Sequence, residues 1–151
     1  MTRISYSDLA PGAYTAMRGL EQYVNDSGLE HSLLELVKTR ASQINGCAYC
    51  LDMHTKDARA AGETEQRLYV LAAWREASFY SARERAALAW TEAVTRLGPP
   101  GVPDELYRAT REEFDEKALI DLTMAIVAIN GWNRLAIALQ PQEVGTYVVR
   151  R

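Results

Sequence analysis

Apolar residues recur every three or four positions along most of the chain, which is the spacing of one face of an α-helix. Ala, Leu, Glu and Arg dominate, and the apolar–polar alternation that is typical of strands is scarce. The pattern predicts an all-α fold of about six to seven helices. The predicted helices cover approximately residues 11–25, 30–44, 47–62, 64–74, 81–97, 103–113 and 115–139.

Local signals indicate where these helices begin and end. Ser81 and Glu84 form a capping-box pattern, in which each side chain accepts a hydrogen bond from the backbone near the other residue. The Gly-Pro-Pro-Gly run at 98–101 is a loop, and the chain on either side of it is short for a domain. We therefore predict a single domain over residues 1–151, with an extended piece at 147–149 in an otherwise irregular tail.

The last predicted helix is apolar on more than one face. Such a helix is buried in a core or at an interface between subunits, so its composition favours a homo-oligomer. Asn130, Asn133 and Arg134 are polar residues within this apolar helix. Because buried polar groups need partners, we expect them to form hydrogen bonds across helices or subunits.

Composition and charge exclude several classes of protein. The chain has 151 residues, 48% of them hydrophobic, with 17 basic and 20 acidic side chains, so the net charge is 17 − 20 = −3. This balance argues against electrostatic binding of nucleic acid. The N-terminal residues do not resemble a secretory signal, no apolar run is long enough to span a membrane, and two cysteines cannot build a disulfide-rich scaffold. We therefore expect a cytoplasmic protein.

The two cysteines and one of the two histidines form a close cluster, Cys47-Ala48-Tyr49-Cys50 followed by His54. At about 100° per residue, their side chains fall within about 60° of one another on the apolar stripe of a helix. The positive end of the helix dipole favours a thiolate, and His54 can take a proton from the thiol of Cys50. A thiolate attacks peroxides or disulfides, and the neighbouring cysteine can trap the sulfenic acid that forms.

Other interpretations of the cluster stay open at this point. The cysteines could be inert core residues. They could bind zinc with His54 and a fourth ligand such as Glu35 or His31, although zinc modules usually have two ligand pairs. A thioredoxin-type oxidoreductase would need strands around the motif, and none are evident.

Two features of the sequence favour different cysteines as the one that attacks the substrate. The helix dipole favours Cys47, which is nearest the helix start, whereas the neighbouring His54 favours Cys50. We favour Cys50, because a positioned base acts more specifically than a dipole effect of about 0.3–1 kcal/mol.

The full motif is Glu35, eleven residues, the CxxC pair, three residues and His54. It resembles the redox-active branch of the alkylhydroperoxidase D / carboxymuconolactone decarboxylase family, and similarity extends over approximately residues 10–140. The resemblance implies an all-α bundle, trimers or hexamers, and the reduction of hydroperoxides by a dithiol–disulfide cycle. It further implies that Cys50 attacks, that Cys47 resolves, and that Glu35 and His54 form a proton relay. The decarboxylase branch lacks the CxxC, so the pair argues against decarboxylation.

On this basis we expect an antioxidant enzyme, a thiol-dependent peroxidase. Its partners would be a hydroperoxide substrate and a thiol or lipoyl-type reductant, with no bound cofactor, no metal, no nucleic acid and no membrane. The chain has no GxGxxG loop for a nucleotide that could supply electrons. Some family members have a second histidine between the cysteines, where this chain has Tyr49. The alternative is therefore a general dithiol–disulfide oxidoreductase, or a redox-sensing oligomer with little peroxidase turnover.

The periodicity around Glu35 conflicts with its role in that motif. Leu33, Leu34 and Val37 belong to the apolar face of the second predicted helix, and Glu35 falls on the opposite side. The pattern alone therefore predicts a solvent-exposed carboxylate at position 35, and a surface or capping role for His31.

Overall fold

The computed structural model of the protein describes residues 2–149, which form eight α-helices, one 3₁₀ helix and no strand. The helices are α1 (Tyr6–Leu9), α2 (Pro11–Asn25), α3 (His31–Asn45), α4 (Ala48–Ala60), α5 (Glu65–Val70), the 3₁₀ helix (Leu71–Glu76), α6 (Ala82–Thr95), α7 (Asp104–Glu113) and α8 (Glu116–Leu139). The all-α prediction is confirmed.

Three local features differ from the prediction. The single turn of α1 is too short to give a periodic pattern, so the sequence did not reveal it. The fourth predicted helix is divided: α5 ends at Val70 and the chain continues as the 3₁₀ helix, within which Ala73 has a non-helical φ of −115°. Residues 147–149 belong to no regular element.

The ends of the helices follow the expected chemistry. The capping box at α6 is present: Ser81 accepts a hydrogen bond from the Glu84 backbone, and Glu84 accepts one from the Ser81 backbone. Helix α3 ends at Gly46, whose φ of 70° lies in the left-handed region that favours glycine. This turn directs the chain straight into α4 and so determines where the CxxC pair lies.

Helix α3 is the central helix of the bundle and contacts α4, α6, α8 and the 3₁₀ helix. Its residues from Leu33 to Ser42 are all buried. Leu33 and Val37 pack in one hydrophobic core with α8, whereas Leu36 packs in a second core with α4, α5 and the 3₁₀ helix. Because α3 lies between the two cores, the middle of this helix is buried on all sides.

Helix α8 forms the other wall of the first core and packs closely against α2. A Cβ atom on Gly131 would lie 2.9 Å from Met17 Cε, so glycine allows this close approach. By length and composition α8 could cross a membrane, with a mean hydropathy of 1.4. One such helix is weak evidence, because the core helix of a soluble protein has the same properties. Here α8 also contains buried Asp121 and Asn133.

Candidate active site

The CxxC pair lies at the start of α4, beneath the surface. Cys47 is the N-cap residue, and its sulfur accepts a hydrogen bond from the Cys50 backbone at 3.4 Å. The two cysteines form a disulfide with a Cα–Cα distance of 5.3 Å, and they are only 1% and 2% exposed. The i, i+3 spacing at a helix start thus brings the two sulfurs within disulfide range, as the sequence predicted.

A hydrogen-bonded asparagine network holds the turn that precedes the disulfide. The side-chain amide of Asn45, at the end of α3, donates to Asn130 and Asn133 of α8 at 2.9 Å each. Asn133 is fully buried and donates to Ser42 Oγ at 3.0 Å, and the Ser42 carbonyl accepts from the Cys47 backbone N–H. The expected bonds of the α8 asparagines across helices are therefore confirmed, and they anchor the CxxC turn to the central helices.

His54 lies one turn after Cys50 on the buried face of α4 and pairs with Glu35 of α3. Its Nδ1 is 3.0 Å from Glu35 Oε2, and both side chains are almost fully buried. Residues four apart on a helix lie on the same face, so His54 is on the Cys50 side of α4 and its imidazole also meets the Glu35 carboxylate. The structure thus brings together all four residues of the predicted site.

The prediction from periodicity that Glu35 is solvent-exposed is wrong. Glu35 is 5% exposed, because α4 covers the polar side of α3. Burial raises the pKa of Glu35, but the hydrogen bond from His54 and the positive charges of His54, Lys38 and His31 outweigh it. The pKa of Glu35 is therefore lowered overall, and the carboxylate stays ionised beside the imidazole.

Asp57 and Tyr147 extend this cluster, and neither was predicted from the sequence. One carboxylate oxygen each of Glu35 and Asp57 and a ring nitrogen of His54 all lie within 4.8 Å of one another. The Tyr147 hydroxyl donates to both carboxylate oxygens of Asp57, at 2.8 and 3.0 Å, and Lys56 Nζ donates to the Tyr147 carbonyl at 3.0 Å. The C-terminal segment is thereby fastened to α4 beside the candidate site.

In this pair the neutral hydroxyl of Tyr147 donates hydrogen bonds to the carboxylate of Asp57. Burial raises the pKa of Tyr147 to about 12, with the Asp57 hydrogen bond and charge as further causes, so the hydroxyl keeps its proton at neutral pH. Asp57 could have been found from its spacing, since it is three residues after His54 and shares its face. Tyr147 is 90 residues from Asp57, and no sequence pattern joins them.

Glu35, His54 and Asp57 are a ligand set that could hold a metal ion. These groups, however, already form hydrogen bonds: Glu35 with His54, and Asp57 with Tyr147. A divalent cation would have to replace these hydrogen bonds, so the arrangement fits proton transfer better than metal binding.

His31 lies closer to the site than the sequence suggested. It begins α3 one turn before Glu35, and its Nε2 is 3.6 Å from Glu35 Oε1. The His31 side chain is 63% exposed, as predicted for a surface residue, whereas the Glu35 side chain is 6% exposed. Glu35 therefore has one oxygen directed to a buried imidazole and the other to an exposed one.

The arrangement of α3, α4, α6 and α8 around a CxxC pair is the fold of alkylhydroperoxidase D (AhpD). The chain belongs to the carboxymuconolactone decarboxylase family, which it matches over residues 10–93. It is 49% identical over 137 residues to the uncharacterised YdfG protein of Bacillus subtilis. The match covers 91% of this chain and 93% of that protein.

Solved structures agree with this assignment. A protein of unknown function from Agrobacterium tumefaciens, described as an AhpD-type candidate for antioxidant defence, superposes with a TM-score of 0.90. It is 44% identical, and the match covers 95% of this chain and 98% of that one. The debrominase Bmp8, bound to 2,3,4-tribromopyrrole, has the same fold at a TM-score of 0.80 and 21% identity, over 92% of this chain and 74% of that one.

Proposed function

We propose that the protein is a cytoplasmic thiol-dependent peroxidase that reduces hydroperoxides through a Cys47–Cys50 dithiol–disulfide cycle. The observation that carries the proposal is the buried disulfide at the start of α4 with the His54–Glu35 pair one turn away. The membership of the family and the antioxidant description of the Agrobacterium protein support the same chemistry.

The first half of the cycle oxidises the dithiol. In the reduced protein His54 holds the proton of the Cys50 thiol, and ionised Glu35 stabilises the resulting imidazolium. The Cys50 thiolate attacks the terminal oxygen of the peroxide, the O–O bond breaks, and the leaving alkoxide takes the proton from His54. Cys50 is now a sulfenic acid.

Cys47 completes the oxidation. Its sulfur attacks Cys50 Sγ, the Cys47 proton leaves with the hydroxyl group as water, and the disulfide forms. The two cysteines are already close enough in the backbone, with a Cα–Cα distance of 5.3 Å, so no large movement of α4 is required. A dithiol of the lipoyl or protein class then reduces the disulfide by thiol–disulfide exchange.

Stopped-flow measurement with cumene hydroperoxide tests the roles of the residues. Wild-type protein should lose two thiols in a fast step. Cys47→Ser should stop at a sulfenic acid that dimedone captures, and Cys50→Ser should not react above the background of an ordinary thiol. Oxidation of Cys50→Ser at the wild-type rate would assign the attack to Cys47, and wild-type protein that does not react would overturn the proposal.

The second candidate is a general dithiol–disulfide oxidoreductase or a redox-sensing oligomer. The observation that favours it is Tyr49, which stands between the cysteines where some family members have a histidine. Competition between cumene hydroperoxide and oxidised lipoamide for the reduced protein separates the two, since a peroxidase reacts faster with the peroxide.

A further inference from the structure

One buried hydroxyl of α3 has no hydrogen-bond partner. Thr39 is completely buried, and within residues 2–149 its Oγ1 is the one buried side-chain nitrogen or oxygen atom that forms no hydrogen bond. An unpaired polar group in the interior is unfavourable, and most such groups in folded proteins are paired. A partner that forms only in another state of the protein would explain this exception.

The Thr39 hydroxyl also lacks the local bond that other helical threonines form. Four of these donate to the carbonyl four residues earlier, at 2.6 to 2.7 Å: Thr55, Thr91, Thr110 and Thr123. Thr39 has the same option in the carbonyl of Glu35, one turn before it, but does not donate to it. Its hydroxyl is therefore free for an acceptor outside its own helix.

The register of α3 and α4 places Thr39 beside Cys50. A two-residue turn joins the helices, which run antiparallel and in contact, and Glu35 of α3 meets His54 of α4. Thr39 follows Glu35 by four positions, and Cys50 precedes His54 by four positions. Each of these steps is about one helical turn towards the joining turn and stays on the same face. Thr39 and Cys50 therefore lie on facing sides of the two helices, and both are buried.

The sulfur of Cys50 is a different acceptor in the two redox states. In this structure it is bonded to Cys47, and a neutral sulfur accepts hydrogen bonds only weakly. A thiolate carries a negative charge, and hydrogen bonds to charged groups are roughly twice as strong as those between neutral groups. Reduction therefore supplies, next to Thr39, the acceptor that its hydroxyl lacks in the disulfide form.

We propose that Thr39 Oγ1 donates a hydrogen bond to the Cys50 thiolate in the reduced protein and so stabilises the dithiol form relative to the disulfide. The inference adds a residue to the proposed function and rests on it only for the choice of Cys50 as the thiolate. Thr39 keeps its proton in both redox states and forms no covalent bond. Its effect is to make the disulfide more readily reduced by a dithiol donor.

The equilibrium of the disulfide with dihydrolipoamide and lipoamide tests this bond. Valine is β-branched like threonine but has no hydroxyl, so Thr39→Val removes the donor and keeps the packing. We expect the variant to favour the disulfide about tenfold, which is a reduction potential about 30 mV lower than that of wild type. Thr91→Val is the matched control, because Thr91 is equally buried but its hydroxyl is bonded to the Ala87 carbonyl. It should leave the equilibrium unchanged.

Urea unfolding of both redox forms gives a second, independent measurement. In the oxidised protein the Thr39 hydroxyl has no partner to lose, so Thr39→Val should be at least as stable as wild type. In protein kept reduced by dithiothreitol, the same variant should lose about tenfold in its folding equilibrium, because the thiolate is left without its donor. Thr91→Val should change the stability of the two forms alike.

The inference would be overturned by a disulfide equilibrium that is the same in Thr39→Val and wild type, or by an equal change in Thr91→Val. An oxidised Thr39→Val that is less stable than wild type would also overturn it, since the hydroxyl would then have a partner in the disulfide form. Peroxide takes no part in these measurements. Failure of reduced wild type to react with cumene hydroperoxide would therefore count against the proposed function, and the lipoamide equilibrium would still decide the role of Thr39.

Discussion

The ionised carboxylate of Glu35 is held in the interior by the charges around it. Burial alone would favour the neutral acid, and the imidazole of His54 reverses this by a hydrogen bond of 3.0 Å. Breaking such a pair from one side is costly, because the remaining group stays buried without its partner. In the proposed peroxidase cycle the same pair would stabilise the imidazolium, so we expect both stability and catalysis to depend on this contact.

Replacing Glu35 with Gln should therefore change both stability and its pH dependence. Because the pKa of Glu35 is lowered below its ordinary value of 4.5, its stabilisation is complete above that value and is lost as the pH falls through the folded-state pKa. Glu35→Gln should be less stable than wild type by about 1–3 kcal/mol at pH 7. Urea unfolding of the oxidised proteins should show this difference narrowing below about pH 4.5. A difference that is constant from pH 7 to pH 3 would contradict the assignment of the ionised state.

The contribution of Tyr147 to stability should depend on pH in the alkaline range. The raised pKa of about 12 means that the neutral hydroxyl stabilises the fold below the ordinary value of 10 and that this contribution is lost as the pH rises from there towards 12. Tyr147→Phe should cost about 0.5–1.5 kcal/mol at pH 7. Urea unfolding at pH 7 and pH 11 measures the effect, and Val148→Ala in the same exposed segment is the control. An equal loss in both variants would exclude a specific Tyr147–Asp57 bond.

At the scale of the helices, α3 determines both the fold and the site. It separates the two cores, carries Glu35 towards α4, and ends in the turn that begins the CxxC helix. The Asn45–Asn133 hydrogen bond fixes this turn against α8. Loosening that contact should affect the disulfide even though Asn133 does not belong to the CxxC helix.

Asn133→Ala tests this coupling between helices. The variant removes a fully buried side chain and leaves Ser42 Oγ without its donor, so we expect a loss of about 1–3 kcal/mol in urea unfolding. Reduction of the disulfide by dithiothreitol should also become faster. The exposed Glu112→Ala, on α7, is the control and should stay within about 0.5 kcal/mol of wild type. Equal unfolding midpoints for the two variants would show that the network does not hold the turn.

Much of this arrangement could be predicted at the level of single helices. Cys47, Cys50 and His54 lie within two turns of one helix, so their spacing alone places them on one face. Glu35 could not be placed in this way, because its burial depends on α4 covering the polar side of α3. The pairing of Tyr147 with Asp57 joins distant parts of the chain and depends on the whole bundle. Family resemblance identified Glu35 where periodicity was wrong.

At the scale of the whole molecule, the exposed apolar residues of α8 bear on the predicted association of chains. Ile120 and Val127 are two turns apart on one face and are 59% and 47% exposed, and Ile137 further along the helix is 41% exposed. Exposed apolar residues that form a contiguous stripe are typical of interfaces. A trimer or hexamer, and a single domain over residues 1–151, remain our predictions.

Light scattering coupled to size-exclusion chromatography tests the assembly. We expect a mass of three or six times 16.9 kDa for wild type. Val127→Glu should yield monomers, since a charge buried in an apolar interface is unfavourable. Val148→Glu, at a residue that is 78% exposed in the tail, should leave the mass unchanged. A monomeric wild-type protein would contradict the oligomer prediction.

The proposed cycle requires that Cys47 and Cys50 transfer two electrons to a hydroperoxide. The most direct test is to titrate fully reduced wild-type protein with cumene hydroperoxide and to measure, in the same samples, free thiols, intact mass and cumyl alcohol. We expect each equivalent of peroxide to remove two thiols, to lower the mass by two hydrogen atoms and to yield one alcohol. Thiols that persist in excess peroxide, or thiols that disappear without formation of the alcohol, would contradict it.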